Sequence, residues 1–205
     1  MPYGGLVSGP PRRSPLPQER ARDAERTRSA LLDAAVVEFG AKGLAGARVD
    51  IIAARAGVNK QLISYYFGGK QGLYDAILER WYAQEREFDQ PGTSLVGLVL
   101  RYLDTGRTAR DLTRMFLRET LDEDPAEVSN EPVNDELDRL RARQQAGEIG
   151  ADLDPAFVLL FLQAMVVSGV VFPAEAKRLT GEDPGSDAFY DRARDQLSKI
   201  IERLA

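Results

Sequence analysis

Between Asp23 and Lys42 the apolar residues Leu31, Leu32, Ala35, Val36 and Phe39 fall three and four positions apart, the spacing of one face of an α-helix. Gly43 then stops the pattern. A short helix is predicted from about Val49 to Ala56, ended by Gly57. Asn59 opens a third, through about Phe67, because its side-chain oxygen can accept a backbone N–H of the first turn. After Gly68-Gly69 a longer helix is predicted from Lys70 to about Asp89, where Pro91-Gly92 breaks it. Further on, Leu95, Leu98, Val99 and Tyr102 form one stripe and Leu112, Met115 and Phe116 another. Asp124-Pro125-Ala126-Glu127 and Asp154-Pro155 read as helix starts, the first leading to a charged helix ending near Gln145. The run Phe157 to Phe172 is apolar nearly all round, so it must be covered on several sides. Gly181 to Gly185 reads as a loop, and Ser186 caps a last amphipathic helix with Phe189, Leu197, Ile200, Ile201 and Leu204. Nothing alternates at period two and nothing repeats, so the predicted fold class is all-α.

Residues 1–20 do not fit this scheme. Five prolines, three glycines and Arg12-Arg13 make them a flexible arm, either inert or reaching into a minor groove. The remaining chain divides into a head, 21–75, and a helical body, 76–205.

Charge sharpens that division. The net charge of -5 is unevenly spread: residues 1–75 hold 11 Lys+Arg against 7 Asp+Glu, and residues 76–205 hold 16 against 25. A basic head on an acidic body suits a module that binds a polyanion, although scattered solvated charge gives the same count. Cys and His are both absent, which removes disulfides, thiolate sites and the commonest general base and zinc ligand. No metal or cofactor is expected. With no signal-peptide pattern and no apolar run of spanning length, a cytoplasmic protein without membrane contact is expected.

The segment Val49 to Tyr66 has the requirements of two helices crossing closely: a small residue, Ala53, in the first and Gly57 at the turn. Ile52, Ala56, Val58, Ile63 and Tyr66 fall where inward anchors belong. Lys60, Gln61, Ser64 and Tyr65 are left on the other face, where they can meet base edges and phosphates in a major groove. An ordinary helical hairpin with a polar outer face satisfies the same spacing.

The flanking strings decide between them. Leu31-Leu32-Asp33-Ala34-Ala35, Phe39, Lys42-Gly43, Ile52-Ala53, Arg55-Ala56-Gly57-Val58, and Tyr66-Phe67-Gly68-Gly69-Lys70 with Leu73-Tyr74 resemble the DNA-binding head of the tetracycline-repressor (TetR) family. The resemblance covers about residues 24 to 78. It implies a three-helix helix-turn-helix head on a larger helical-bundle domain for ligand binding and dimerisation. It further implies a homodimer on a palindromic operator in double-stranded DNA, and a small-molecule effector of unknown identity whose binding alters head spacing. Carried over by position, it puts Lys60, Gln61 and Tyr65 against bases or backbone and Tyr66 and Lys70 against phosphates, with Phe67 in the core. In the first turn of its helix, Lys70 can share a phosphate with free N–H groups. Two positions depart from the family pattern. Ala47-Arg48 stands where Ser or Thr usually caps the second helix, at a cost of about 1 kcal/mol, and Ser64 stands where a Tyr is common. Arg48 is the candidate replacement contact. The expected DNA-contacting set is thus Arg48, Asn59, Lys60, Gln61, Ser64, Tyr65, Tyr66 and Lys70.

Half-sites on one face of a duplex lie about 34 Å apart, which calls for a dimer. The candidate interface is Asp154 to Ser168 with Ser186 to Leu204; plain core is the competing account of those faces. Trp81, Tyr82, Phe88, Tyr102, Met115, Phe116, Phe161 and Met165 are candidate lining of an apolar effector cavity. The expected function is a ligand-responsive transcriptional repressor. The alternatives are an interaction module of the same fold without DNA affinity and a small helical enzyme, for which no catalytic constellation is visible.

Overall fold

The computed structural model describes residues 17–122 and 134–205. The arm through residue 16 and the capping pattern at Asp124–Glu127 lie outside the described residues. Among the described residues there are ten helices and no strand: α1 Pro17–Gly46, α2 Val49–Ala56, α3 Gln61–Phe67, α4 Lys70–Glu85, α5 Leu95–Thr108, α6 Arg110–Asp122, α7 Asn134–Gln145, α8 Pro155–Val171, α9 Pro173–Thr180 and α10 Asp187–Ile201. None of them is singly long and apolar enough to cross a membrane.

Boundaries depart from expectation where proline and local capping act. α1 begins at Pro17, inside the stretch read as a flexible arm. A proline in a first turn forfeits no hydrogen bond, so it opens this helix. α4 ends at Glu85, four residues before the expected stop. α9 was not expected at all. Pro173 cannot donate the N–H that would prolong α8, but it suits the first turn of a new helix, and the two axes meet at 88°. Three side-chain caps are present, the expected ones at Asp154 and Ser186 and a further one at Ser94, each worth about 1 kcal/mol. Ser94 Oγ accepts from Gly97 N at 3.1 Å, Asp154 Oδ1 from Ala156 N at 2.8 Å, and Ser186 Oγ from Phe189 N at 3.2 Å.

The first buried cluster joins Leu31, Phe39, Ile52, Ile63, Leu73 and Ile77 of α1 to α4 with Met115 of α6. The core of the head is therefore closed by a residue of the body, and α4 runs unbroken across residues 75 and 76. A second cluster, including Leu95, Val99, Leu140, Leu162 and Ile201, joins α5, α7, α8 and α10. A third seats Phe189, Tyr190 and Leu197 of α10 against Leu103 of α5, and Tyr190 Oη donates to Gly106 O at 2.9 Å.

α6 is held tightly against α1 and α4. Arg118 Nε donates to Gly40 O at 3.0 Å, the Tyr74 hydroxyl donates to the Glu119 carboxylate, and a Cβ built on Gly40 would lie 2.5 Å from Asp111 O. Backbone cannot move aside as a flexible side chain can. Gly40→Ala is expected to cost about 1–3 kcal/mol by overpacking, read as a lower denaturant midpoint. An unchanged midpoint would mean that the seam opens freely.

Candidate nucleic-acid interface and effector cavity

The turn between α2 and α3 is built by local chemistry. Gly57 takes the left-handed conformation, φ 69° and ψ 29°, which a residue with a Cβ adopts only with strain. Its N–H reaches Ala54 O at 3.2 Å, and Val58 N reaches Ala53 O at 3.0 Å, so two of the last four carbonyls of α2 are satisfied. Asn59 Oδ1 accepts the Gln61 N–H at 2.9 Å, holding the first turn of α3. Ile63 is buried and Leu62, Tyr66 and Phe67 are partly buried, anchoring the inner face against α1 and α4.

Among the described residues nothing covers the outer face of α3. Lys60, Gln61, Ser64 and Tyr65 are all exposed, Tyr65 to 78%. Its ring meets Tyr66 edge-on at 5.0 Å. Tyr66 in turn meets Phe67 at 6.2 Å, and the Arg28 guanidinium lies 5.4 Å from the Phe67 ring centre. Tyr66 is thus half-buried, with its ring packed against Tyr65 and Phe67. Exposed polar groups on a short helix held by a rigid inner face can meet a groove without rearranging the fold.

Two cations at the margin of this face have partners within the chain. Lys70 Nζ donates to Ala45 O at 3.0 Å and Ala47 O at 3.3 Å, bracing the turn between α1 and α2. An ammonium has a third N–H, so a phosphate contact can be added to these bonds. Arg48 forms a two-point ion pair with Asp50, Nε to Oδ1 at 3.2 Å and the terminal nitrogen to Oδ2 at 2.9 Å. The hydrogen bond from Arg48 holds the Asp50 carboxyl below its ordinary range. At the missing cap of α2, the Arg48 N–H goes instead to the carboxylate of buried Glu38, at 3.4 Å.

A second feature lies in the body. A cavity of about 440 Å³ opens between α4, α5, α6, α7 and α8. Trp81, Tyr102 and Phe116 are in its wall, among Leu98, Leu162 and Val166. The other aromatic and Met candidates are elsewhere. Tyr82 is 48% exposed, Phe161 is 58% exposed on the outside of α8, and Met115 is buried in the core of the head. Met165 packs between the second and third clusters, and Phe88 stands behind the wall, edge-on to Trp81 and Tyr102 at 5.8 and 5.2 Å.

The polar lining escaped the sequence reading, which followed apolar stripes alone. Glu85, at the end of α4, accepts the Tyr102 hydroxyl at 2.9 Å. Burial pushes its carboxyl above the ordinary range, the Tyr102 bond opposes this, Glu136 adds to it and Arg139 offsets part. Burial likewise pushes the Tyr102 hydroxyl up, with Glu85 adding to the rise. Only a carboxyl at a helix end beside an apolar stripe signalled this group in advance. Among the described residues no cluster of possible metal ligands is found.

The profile of bacterial regulatory proteins of the tetR family matches residues 31–77, from the middle of α1 into α4. The chain is 33% identical over 192 residues to the HTH-type transcriptional repressor SCO4008 of Streptomyces coelicolor, spanning 89% of this chain and 99% of the relative. It is 25% identical over 195 residues to the HTH-type transcriptional regulator RutR of Escherichia coli K12, spanning 89% and 92%. Among solved structures, the transcriptional regulator SCO4942 from Streptomyces coelicolor superposes with a TM-score of 0.68 at 28% identity, over 86% of this chain and 97% of that one.

Proposed function

Because this chain belongs to the TetR family of DNA-binding transcriptional regulators, we propose that it is a repressor whose two copies bind a palindromic operator and release it when a small apolar effector fills the body cavity. The observation that carries this is the outer face of α3, where Lys60, Gln61, Ser64 and Tyr65 stand free on a helix fixed from behind. Lys60, Gln61 and Tyr65 meet bases or backbone. Asn59 and Ser64 flank them, while Arg48, Tyr66 and Lys70 meet phosphates. For Arg48 this means exchanging Asp50 for phosphate, a small loss because the pair is exposed.

A dimer follows from operator geometry, and α8 with α10 is its proposed interface. α8 exposes Phe157, Leu160 and Phe161, α10 exposes Ile200, and nothing among the described residues covers them. Coupling between sites runs through α6, whose Phe116 lines the cavity and whose Met115 and Arg118 hold the head. The relatives are transcriptional regulators, and the proposed role involves no catalysis.

The test is retardation of the operator-like palindrome nearest its own gene, repeated at several salt concentrations. Salt-sensitive retardation is expected. Lys70→Ala should weaken binding to all sequences alike and lower the salt slope by about 1. Tyr65→Ala should instead act differently on different base pairs. Absence of any retardation would leave an interaction module that keeps the fold without affinity for DNA.

A further inference from the structure

The turn that leads into α2 is assigned to phosphate contact, yet the side chains bonded there carry no net positive charge. Arg48 and Lys70 supply two cations, and Asp50 and Glu38 two carboxylates. The two carboxylates act differently. Glu38, buried on α1, accepts the backbone N–H of Arg48 at 3.4 Å and so fixes where α2 begins. Asp50, in the first turn of α2, takes the guanidinium itself, from Nε at 3.2 Å and from a terminal nitrogen at 2.9 Å. That edge of the guanidinium is one with which an arginine holds a phosphate at two points. In the free chain Asp50 fills it. With the two side chains 70% and 50% exposed, the pair adds little to stability. Nor does Arg48 need Asp50 to hold its backbone in place, because the bond to Glu38 does that.

We propose that Asp50 is an internal competitor for the phosphate contact of Arg48, limiting how tightly the head grips DNA of any sequence and leaving the choice of sequence to the outer face of α3. This rests on the DNA-binding reading above and adds to it a residue that acts against binding. Two effects have the same sign. A phosphate must displace the Asp50 carboxylate from the guanidinium, and the displaced carboxylate then repels the phosphate from close by. Phosphate contacts carry no base information, so weakening one lowers affinity for operator and for unrelated duplex alike. A weaker grip shortens the stay at each of the many unrelated sites that compete with an operator.

The experiment is a double-mutant cycle on the full-length protein: the unaltered chain, Asp50→Asn, Arg48→Ala and the two changes together. Each is titrated, at several salt concentrations, against the palindromic duplex nearest its own gene and a scrambled duplex of the same length. Asp50→Asn is expected to bind both duplexes about three- to ten-fold more tightly, since an exposed pair enters twice in a dimer. Its dependence on salt should be steeper by about 1–2. In the Arg48→Ala background the same change should give less than about half of that gain on a logarithmic scale. In the free protein, the Asp50 carboxyl followed by carbon-13 NMR is expected to titrate below the ordinary carboxylate range and to return toward it in Arg48→Ala. Melting followed by circular dichroism separates a loss of α2 from a change of grip. Should Asp50→Asn melt early, Asp50→Ser takes its place, keeping an oxygen for the first-turn N–H groups. Weaker or unchanged binding by the charge-removing variant overturns the proposal. So does a gain confined to the palindrome, a gain as large without Arg48 as with it, or an Asp50 carboxyl that ignores Arg48→Ala. In those cases the DNA-binding reading stands as long as the unaltered chain retards the palindrome. If the unaltered chain retards neither duplex and Asp50→Asn retards both, the competitor is established and the native chain is the interaction module; retardation by neither sinks both.

Discussion

Phe161→Asp is expected to turn the protein from a dimer into a monomer and to lower operator affinity about 10²–10⁴-fold, the gain that linking two binding modules supplies. Phe161 is 58% exposed and meets Phe157 at 6.1 Å on the outer side of α8, so the substitution touches no buried cluster of its own chain. The monomer should keep its helical content. In a two-fold interface every substitution enters twice, and each aspartate taken out of water there costs on the order of several kcal/mol. Sedimentation gives the mass, circular dichroism the fold and gel retardation the affinity. A dimer that persists at micromolar concentration would move the interface away from α8.

Phe39→Ala is expected to remove about 3–5 kcal/mol of stability, the usual cost of emptying a fully buried phenylalanine site. Total stability of a domain is roughly 5–15 kcal/mol, so the loss is about a third or more of what most domains have, and operator binding should fail at a lower temperature. Phe39 is wholly buried, edge-on to Tyr74 at 5.3 Å, in the cluster that ends at Met115. Because α6 shares that cluster, the damage should not stay in the head. Urea unfolding followed by Trp81 fluorescence, which senses the body, should shift together with the far-ultraviolet signal of the whole chain. A second transition left at its original midpoint would show that head and body melt independently.

The helix-turn-helix was legible because its determinants are local. A glycine at a left-handed turn, an Asn whose side chain meets the next turn, and apolar anchors at helical spacing all act within a few residues. The cavity was not legible in the same way. Periodicity says that Met115 and Phe116 face inward, but not that Met115 turns to the head while Phe116 turns to the cavity. The run from Phe157 to Phe172 is apolar on every side, so the pattern alone could not tell that Leu162 faces the cavity and Phe161 the outside. α9 was hidden for a related reason: Pro173 ends one helix and begins another, and only the 88° bend distinguishes the two acts.

The amino-acid sequence by itself determined the all-helical class, the helix-turn-helix and the polar set on α3, since each follows from neighbours three or four residues away. The tertiary structure alone decided which apolar residues enclose a cavity, which remain uncovered, that Lys70 also braces the turn after α1, and that Glu85 accepts the Tyr102 hydroxyl in the cavity wall. Those properties depend on which helices meet, and residues from five separate helices converge on the cavity. Hydrophobic burial has no direction of its own; it drives apolar groups inward without specifying the partner, and packing then chooses among the arrangements that remain.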